Sequence, residues 1–152
     1  MELDSFDLSI LRCLQSSSRQ PADVIGADIG LSETAVQRRL RRLREAGVIQ
    51  AEVAIVSPQA VGYQLALIVE LAFAKGLADT IDHFKQQMQA QPEVQQCYYV
   101  AGEYDFILIV HASDMPAYER FTREVFFGNA NIIKFRTTVV MDTVKMGYTL
   151  DF

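Results

Sequence analysis

The sequence predicts an α+β chain in two parts: three short helices over residues 1–47, and strands and helices in the order β-α-β-β-α-β from residue 65 onward. Apolar residues recur at helical spacing up to Gly47, the period changes to that of strands at Val48, and glycine or proline marks the joints. With 152 residues, 50% of them apolar, the chain has material for two small cores.

The first helix starts at Asp4, a good N-cap with Leu3 and Leu8 at the staple positions around it, and Leu8, Leu11 and Leu14 repeat along one side. The serine run 16–18 ends it. A second, short helix opens at Pro21, which suits a first helical turn; it carries Ile25 and Ile29 inward and stops at Gly30. Ser32 caps the third, where Val36, Leu40 and Leu43 follow the i, i+4, i+7 rule until Gly47. Three helices with a tight glycine turn between the second and third match a helix-turn-helix.

Val48–Val56 reads as a strand leading through Pro58 and Gly62 to a second apolar run, LALIVELAF, at 65–73. Leu77, Ile81, Phe84 and Met88 then mark an amphipathic helix, and Val94–Ala101 and Phe106–Ala112 read as two strands joined across GEYD. Ser113 or Asp114 caps a further helix with Tyr118, Phe121 and Val125 inside, before a last strand at 132–141. This is the ferredoxin-like order, with helices over one sheet face. Strands 65–73 and 106–112 are apolar on both sides, so the second face is expected to be covered by another copy of the chain. The domain reading is 1–47 helix-turn-helix, 48–64 strand and linker, and 65–152 a βαββαβ module for effector binding and oligomerisation.

The net charge of −5 is unevenly distributed. Residues 1–50 hold seven arginines against seven acids, whereas residues 51–152 hold seven basic residues against twelve acids. Five of the first seven arginines fall at 38, 39, 41, 42 and 44, one concentrated basic site in an acidic chain. At about 100° per residue, Thr34, Arg38, Arg41, Arg42 and Glu45 point away from the apolar side of the third helix, with Arg39 and Arg44 on its flanks. Such a helix fits the major groove of double-stranded DNA. Thr34, Gln37 and Arg38 are expected on base edges and Arg41, Arg42 and Arg44 on phosphates, with Ser32, Glu33 and Arg39 completing the DNA-binding set. The reading requires these guanidinium groups to project outward rather than pair with the protein's own acids.

Other classes find little support. The first ten residues have no basic leader, and the longest apolar stretch, Leu65 to Ala74, contains Glu70 and is too short to span a bilayer, so a cytoplasmic protein without membrane attachment is expected. Cys13 and Cys97 stand far apart with no CxxC and no neighbouring histidines, which suggests buried small hydrophobes rather than a disulfide or a metal site. His83 and His111 lack a nearby acid and nucleophile, no phosphate loop is present, and no enzyme, metal or cofactor is expected. Phe121, Phe126 and Phe127 read as core or interface. In the turn Gly102-Glu103-Tyr104-Asp105, glycine permits a positive φ, and the carboxylates and loop N–H groups suit an amino acid's ammonium and carboxylate. A polar hairpin turn without a ligand is the plainer alternative.

The chain resembles the Lrp/AsnC (leucine-responsive and asparagine-responsive, feast/famine) regulators over nearly its whole length. The likeness rests on LDSFDLSILRCLQ near the start, GLSETAVQRRLRRLREAGVI at 30–49, AGEYDFILIV at 101–110, and TTVVM with Lys145 near the end. It implies a bacterial transcription regulator with a winged-type helix-turn-helix and an ACT-like βαββαβ sensor, built from homodimers that assemble into tetramers or octamers, and an amino-acid effector. By position it also implies that Ala101, Gly102, Glu103, Tyr104 and Asp105, with Tyr98, Thr137 and Thr138, line the effector site. Pro21 and Gly26 in the second helix and GNANII at 128–133 depart from the family's pattern. The competing reading is an amino-acid-binding allosteric module that acts through protein partners, with the N-terminal helices as a docking appendage; it leaves the arginine stripe without a role.

Overall fold

The computed structural model describes residues 2–74 and 78–152. The chain divides into two compact units, residues 1–55 with 145–152, and residues 56–144.

The first unit holds α1 (Ser5–Ser16), α2 (Ala22–Ile29) and α3 (Glu33–Glu45). Asp4 caps α1 in a reciprocal box: its carboxylate accepts from the Asp7 N–H, and the Asp7 carboxylate accepts from the Asp4 N–H. Ile10, Ile25, Val36, Leu40 and Leu43 form the core, with Leu3, Leu11, Leu14 and Ile29 packed around it. On α1 the buried positions are Asp7 and Ile10, and the expected Leu8 is not among the core residues. The inward face of α1 is centred on Asp7 and Ile10, with Leu11 and Leu14 at its margin. Gly30, at φ +77°, closes α2, and the Leu31 N–H donates to the Gly26 carbonyl at 2.9 Å. A Cβ at Gly26 would lie 2.4 Å from the Leu31 carbonyl oxygen, so glycine is what lets the turn approach α2 this closely.

The strand expected over 48–56 is absent: the structure has irregular chain there, followed by a 3₁₀ turn at Gln59–Val61. Val53, Ile55 and Val56 are 74%, 66% and 56% exposed. A strand is defined by a neighbour that accepts its backbone hydrogen bonds, and a single copy of the chain supplies none here. Residues 145–152 join the first unit through α1. Gln15 bonds both the N–H and the carbonyl of Leu150, at 2.6 and 3.0 Å, and Arg12 donates to the Phe152 carbonyl.

The second unit contains β1 (Leu65–Phe73), α4 (Ala78–Ala90), β2 (Val94–Tyr99), β3 (Phe106–Ala112), α5 (Met115–Thr122) and β4 (Ile132–Val139). This is the βαββαβ order, and the antiparallel sheet runs β2-β3-β1-β4. Alternation sends Leu67, Val69, Leu71, Phe73, Phe106, Leu108 and Val110 under the helices, where they meet Phe84, Met88, Tyr118 and Phe121. Phe73, Phe84 and Phe106 form a ring triad with centroids 4.8–5.5 Å apart, each such pair worth about 0.5–1.5 kcal/mol beyond area burial. Leu77, expected to begin the apolar stripe of α4, lies outside the described residues. Asp114 caps α5 by accepting from the Ala117 N–H, and α5 runs on as a π-helical turn at Arg123–Phe127. Cys13 and Cys97 are half-buried rather than fully buried, and burial raises the Cys97 thiol pKa. Among the described residues no helix is long and apolar enough to cross a membrane, and no group of His, Cys, Asp or Glu has metal-site geometry.

Candidate DNA-binding helix and effector turn

The outer face of α3 is built by the burial of Val36, Leu40 and Leu43, which fixes the helix rotation. Thr34, Gln37, Arg38 and Arg41 are exposed. Among the described residues nothing pairs with Arg38 or Arg41, and these two guanidinium groups are free for an anion. The other three arginines are tied to the protein's own acids, contrary to the expectation that all five project freely. Arg39 reaches Asp4 and Asp7, each at 2.7 Å, and lies 5.5 Å from the Phe6 ring. Arg42 reaches the other oxygen of Asp7 at 2.5 Å. Arg44 makes a two-pronged contact with Glu52 at 2.9 and 3.0 Å.

Position explains the split. Arg39 is only 18% exposed and lies on the flank facing α1, whereas Arg42 and Arg44 are each 47% exposed and keep part of their guanidinium in solvent. Asp7 is fully buried, and both of its oxygens accept arginine donors. Burial pushes its pKa up, but the hydrogen bonds from Arg39, the Asp4 backbone and Arg42 more than offset this and hold it below the ordinary value. The bonds to Asp4 and Asp7 raise Arg39 correspondingly. Ser32 is engaged as the N-cap, accepting from the Ala35 N–H, and Glu33 accepts from Gln37 at 2.6 Å. Asp7 and Glu52 went unnoticed in the sequence. The D-x-x-D pattern at 4–7 signals a cap, and nothing local says that it also receives a helix more than thirty residues downstream.

In the second unit the turn 101–105 joins β2 to β3. Ala101, Gly102 and Glu103 are exposed, Tyr104 is buried and Asp105 half-buried. The Val100 N–H donates to the Asp105 carbonyl and the Asp105 N–H to the Leu71 carbonyl, both at 2.8 Å. The Asp105 carboxylate accepts from the Phe73 N–H at 2.7 Å, beside a register shift at Ala72/Phe73, so this acid holds the end of β1. Gly102 does not take the positive φ expected of it: among the described residues only Gly30, Gly47 and Gly62 do. A Cβ on Gly102 would meet nothing within 4 Å.

Two cations missed in the sequence stand beside the turn. Lys134 Nζ lies 4.9 Å and Arg136 Cζ 5.3 Å from the centre of the Tyr104 ring. Lys134 also contacts Glu103 at 3.2 Å, and Arg136 contacts Glu70 at 2.5 Å. Hydrogen bonding to Tyr104 and Glu103 raises the Lys134 pKa, and the Glu70 bond raises that of Arg136. Their signal was present, as alternate basic residues on β4, but only the sheet pairing carries them to the turn. The remaining candidates do not converge on it. Tyr98 lies on the uncovered face of edge strand β2 and donates to Gln96 at 2.9 Å. Thr137 points to the helix side, 2.5 Å from the Tyr118 hydroxyl, and Thr138 sits on the opposite edge strand, three strand spacings or about 14 Å from β2.

A three-helix unit with an outward basic helix, followed by a βαββαβ sheet, defines a transcription regulator with a sensing domain, and comparison with known proteins gives the family. The AsnC-type helix-turn-helix domain matches residues 3–44 and the Lrp/AsnC ligand binding domain matches residues 66–150. The chain belongs to the Lrp/AsnC family of transcriptional regulators, and the relatives are regulators, not enzymes. An uncharacterized HTH-type transcriptional regulator of Sinorhizobium fredii is 47% identical, over 99% of this chain and 89% of that one. The leucine-responsive regulatory protein of Escherichia coli is 32% identical over 98% of this chain and 91% of that one. Two crystal structures superpose with TM-scores of 0.89. An AsnC family transcriptional regulator from Agrobacterium tumefaciens is 28% identical over 98% of this chain and 97% of that one. A Neisseria meningitidis transcriptional regulator in complex with L-Met is 26% identical over 99% of this chain and 97% of that one.

Proposed function

We propose that this chain is a cytoplasmic homo-oligomer that binds double-stranded DNA sequence-specifically through α3, and that an amino acid bound at the 101–105 turn changes its DNA affinity or assembly state. The observation that carries the reading is the pair of exposed, unpartnered guanidinium groups of Arg38 and Arg41 on the outward face of a short helix. Thr34, Gln37 and Arg38 are the base-reading set, with Ser32 and Glu33 at the same end; Arg41, and the solvent-exposed parts of Arg42 and Arg44, meet phosphates. Arg39 acts from behind, fixing α3 to α1 through Asp4 and Asp7. At the turn, Glu103 and Asp105 suit an ammonium, and Lys134 and Arg136 suit a carboxylate. The L-Met in the Neisseria meningitidis relative supports an amino acid as the effector class. The uncovered sheet face joins two copies into a dimer, and dimers assemble further into tetramers or octamers.

Mobility shifts across a salt series test the DNA reading. Replacing Arg41 by alanine is expected to weaken binding to all duplex sequences and to reduce the salt slope by about 0.9, the contribution of one B-DNA phosphate contact. An unchanged slope removes Arg41 from the interface, and no retention on DNA at low salt favours the module that acts through protein partners. Calorimetric titration with the twenty amino acids tests the effector, with heat from at least one expected; no heat from any leaves the turn a plain polar hairpin.

A further inference from the structure

A groove of about 370 Å³ opens at the other end of the sheet from the 101–105 turn, within the ~300–1,000 Å³ range of small-molecule sites. Its wall is the segment after Pro58, where a 3₁₀ turn closes on Gly62 at φ +97° and sets the Tyr63 ring edge-on to His111, centroids 6.4 Å apart. Val110 and Phe121 supply an apolar floor. The groove also carries charges that the protein leaves unused. Glu93, Arg120 and Glu124 line it, and among the described residues none of their side chains has a hydrogen bond or ion pair.

This lack of pairing is local. Glu119 and Arg123, four residues apart on the adjoining turn, close at 2.7 Å, whereas Arg120 and Glu124, also four apart, do not. The order of charge differs: the acid precedes the base in the closed pair and the base precedes the acid in the open one, the less favourable order along a helix. Beside them, His111 contacts Gln95 through Nε2 at 2.8 Å, while its buried Nδ1 has no partner. Burial lowers the His111 pKa, so the ring is neutral near pH 7 and adds no cation.

One guanidinium and two carboxylates lining a groove with an apolar floor discriminate among ligand classes. A dianion is repelled by both glutamates, and an apolar molecule leaves three charges desolvated and unpaired. A small molecule with one carboxylate and one ammonium satisfies all three. We propose that this groove is a second small-molecule site, separate from the 101–105 turn, that takes an α-amino-acid zwitterion with its carboxylate on Arg120 and its ammonium on Glu93 and Glu124.

The test is calorimetric titration of the full chain with each of the twenty amino acids, repeated on Arg120→Gln, Glu124→Gln and, for the turn, Glu103→Ala. Arg120 and Glu124 are exposed and unpartnered, so melting temperatures near that of the parent are expected and show that the variants fold. The parent is expected to show two amino-acid binding events, one lost in Glu103→Ala and the other weakened about tenfold or more in Arg120→Gln and Glu124→Gln. Binding unaffected by Arg120→Gln, or none by any amino acid, overturns the groove site. Loss in Glu103→Ala alone leaves the turn standing and removes the groove; loss only in the groove variants does the reverse. Loss of the same binding event in all three variants counts against two separate sites.

Discussion

Asp7 has the most consequential environment of any single side chain in the first unit. It occupies a core position of α1 and survives there as a carboxylate because Arg39, Arg42 and the Asp4 N–H satisfy its two oxygens. Replacing it with asparagine keeps the shape and removes the charge. Because both arginines retain some access to water, the expected loss of stability is moderate, about 1–3 kcal/mol by denaturant melting. A carboxyl whose pKa is depressed by folding stabilises the protein above the unfolded value, about pH 4, and that contribution disappears as pH falls through the folded value. Asp7→Asn is therefore expected to flatten the acid limb of the stability curve below pH 4, and an unaltered limb shows that Asp7 is not its source. Gly102 presents the opposite case. With an ordinary φ and open space where a Cβ would stand, Gly102→Ala is expected to shift stability by less than about 0.5 kcal/mol. If the turn binds an amino acid by close approach of its backbone, the same variant weakens that binding in calorimetry while its melting curve stays in place.

The α2–turn–α3 element shows how a general propensity is overruled. Glycine within a helix ordinarily costs about 1 kcal/mol relative to alanine, so Gly26→Ala looks stabilising on α2 alone. The added methyl would stand 2.4 Å from the Leu31 backbone oxygen, and overpacking of this kind costs about 1–3 kcal/mol. Thermal melting is expected to show a lower midpoint; a higher one means that the turn yields without cost. The helices and their caps were legible in the sequence because period and cap chemistry are local: Asp4, Ser32 and Asp114 all accept the hydrogen bonds that their positions suggest. Residues 48–56 were misread for the complementary reason. Alternating apolar residues record a tendency to extend, but pairing needs a second strand, which was never a property of those residues alone.

At the scale of the molecule, what remains uncovered is informative. The sheet face away from α4 and α5 carries Ile68, Ile107 and Ile109, all partly exposed, flanked by Tyr98, Arg136 and Glu70. If that face joins two copies, a charge at its centre is costly to bury. Ile109→Lys is expected to move the protein in sizing chromatography from the parent oligomer toward the 17.1 kDa monomer; an oligomer that persists unchanged places the interface elsewhere. At the turn, the family resemblance pointed to Ala101–Asp105 with Tyr98, Thr137 and Thr138 by position, and only the sheet pairing brings Lys134 and Arg136 beside Tyr104 and sets Tyr98 and Thr138 on opposite edge strands.

From the sequence alone came the three helices and the βαββαβ order after residue 65, the caps, the buried sides of α3 and of the strands, and the concentration of arginine between 38 and 44, since each depends on residues a few positions apart. The tertiary structure decided which of those arginines remain free. Asp4, Asp7 and Glu52 occupy Arg39, Arg42 and Arg44 and leave Arg38 and Arg41 open. Folding sets which charges meet, because Coulomb attraction acts on distance through space and takes no account of separation along the chain.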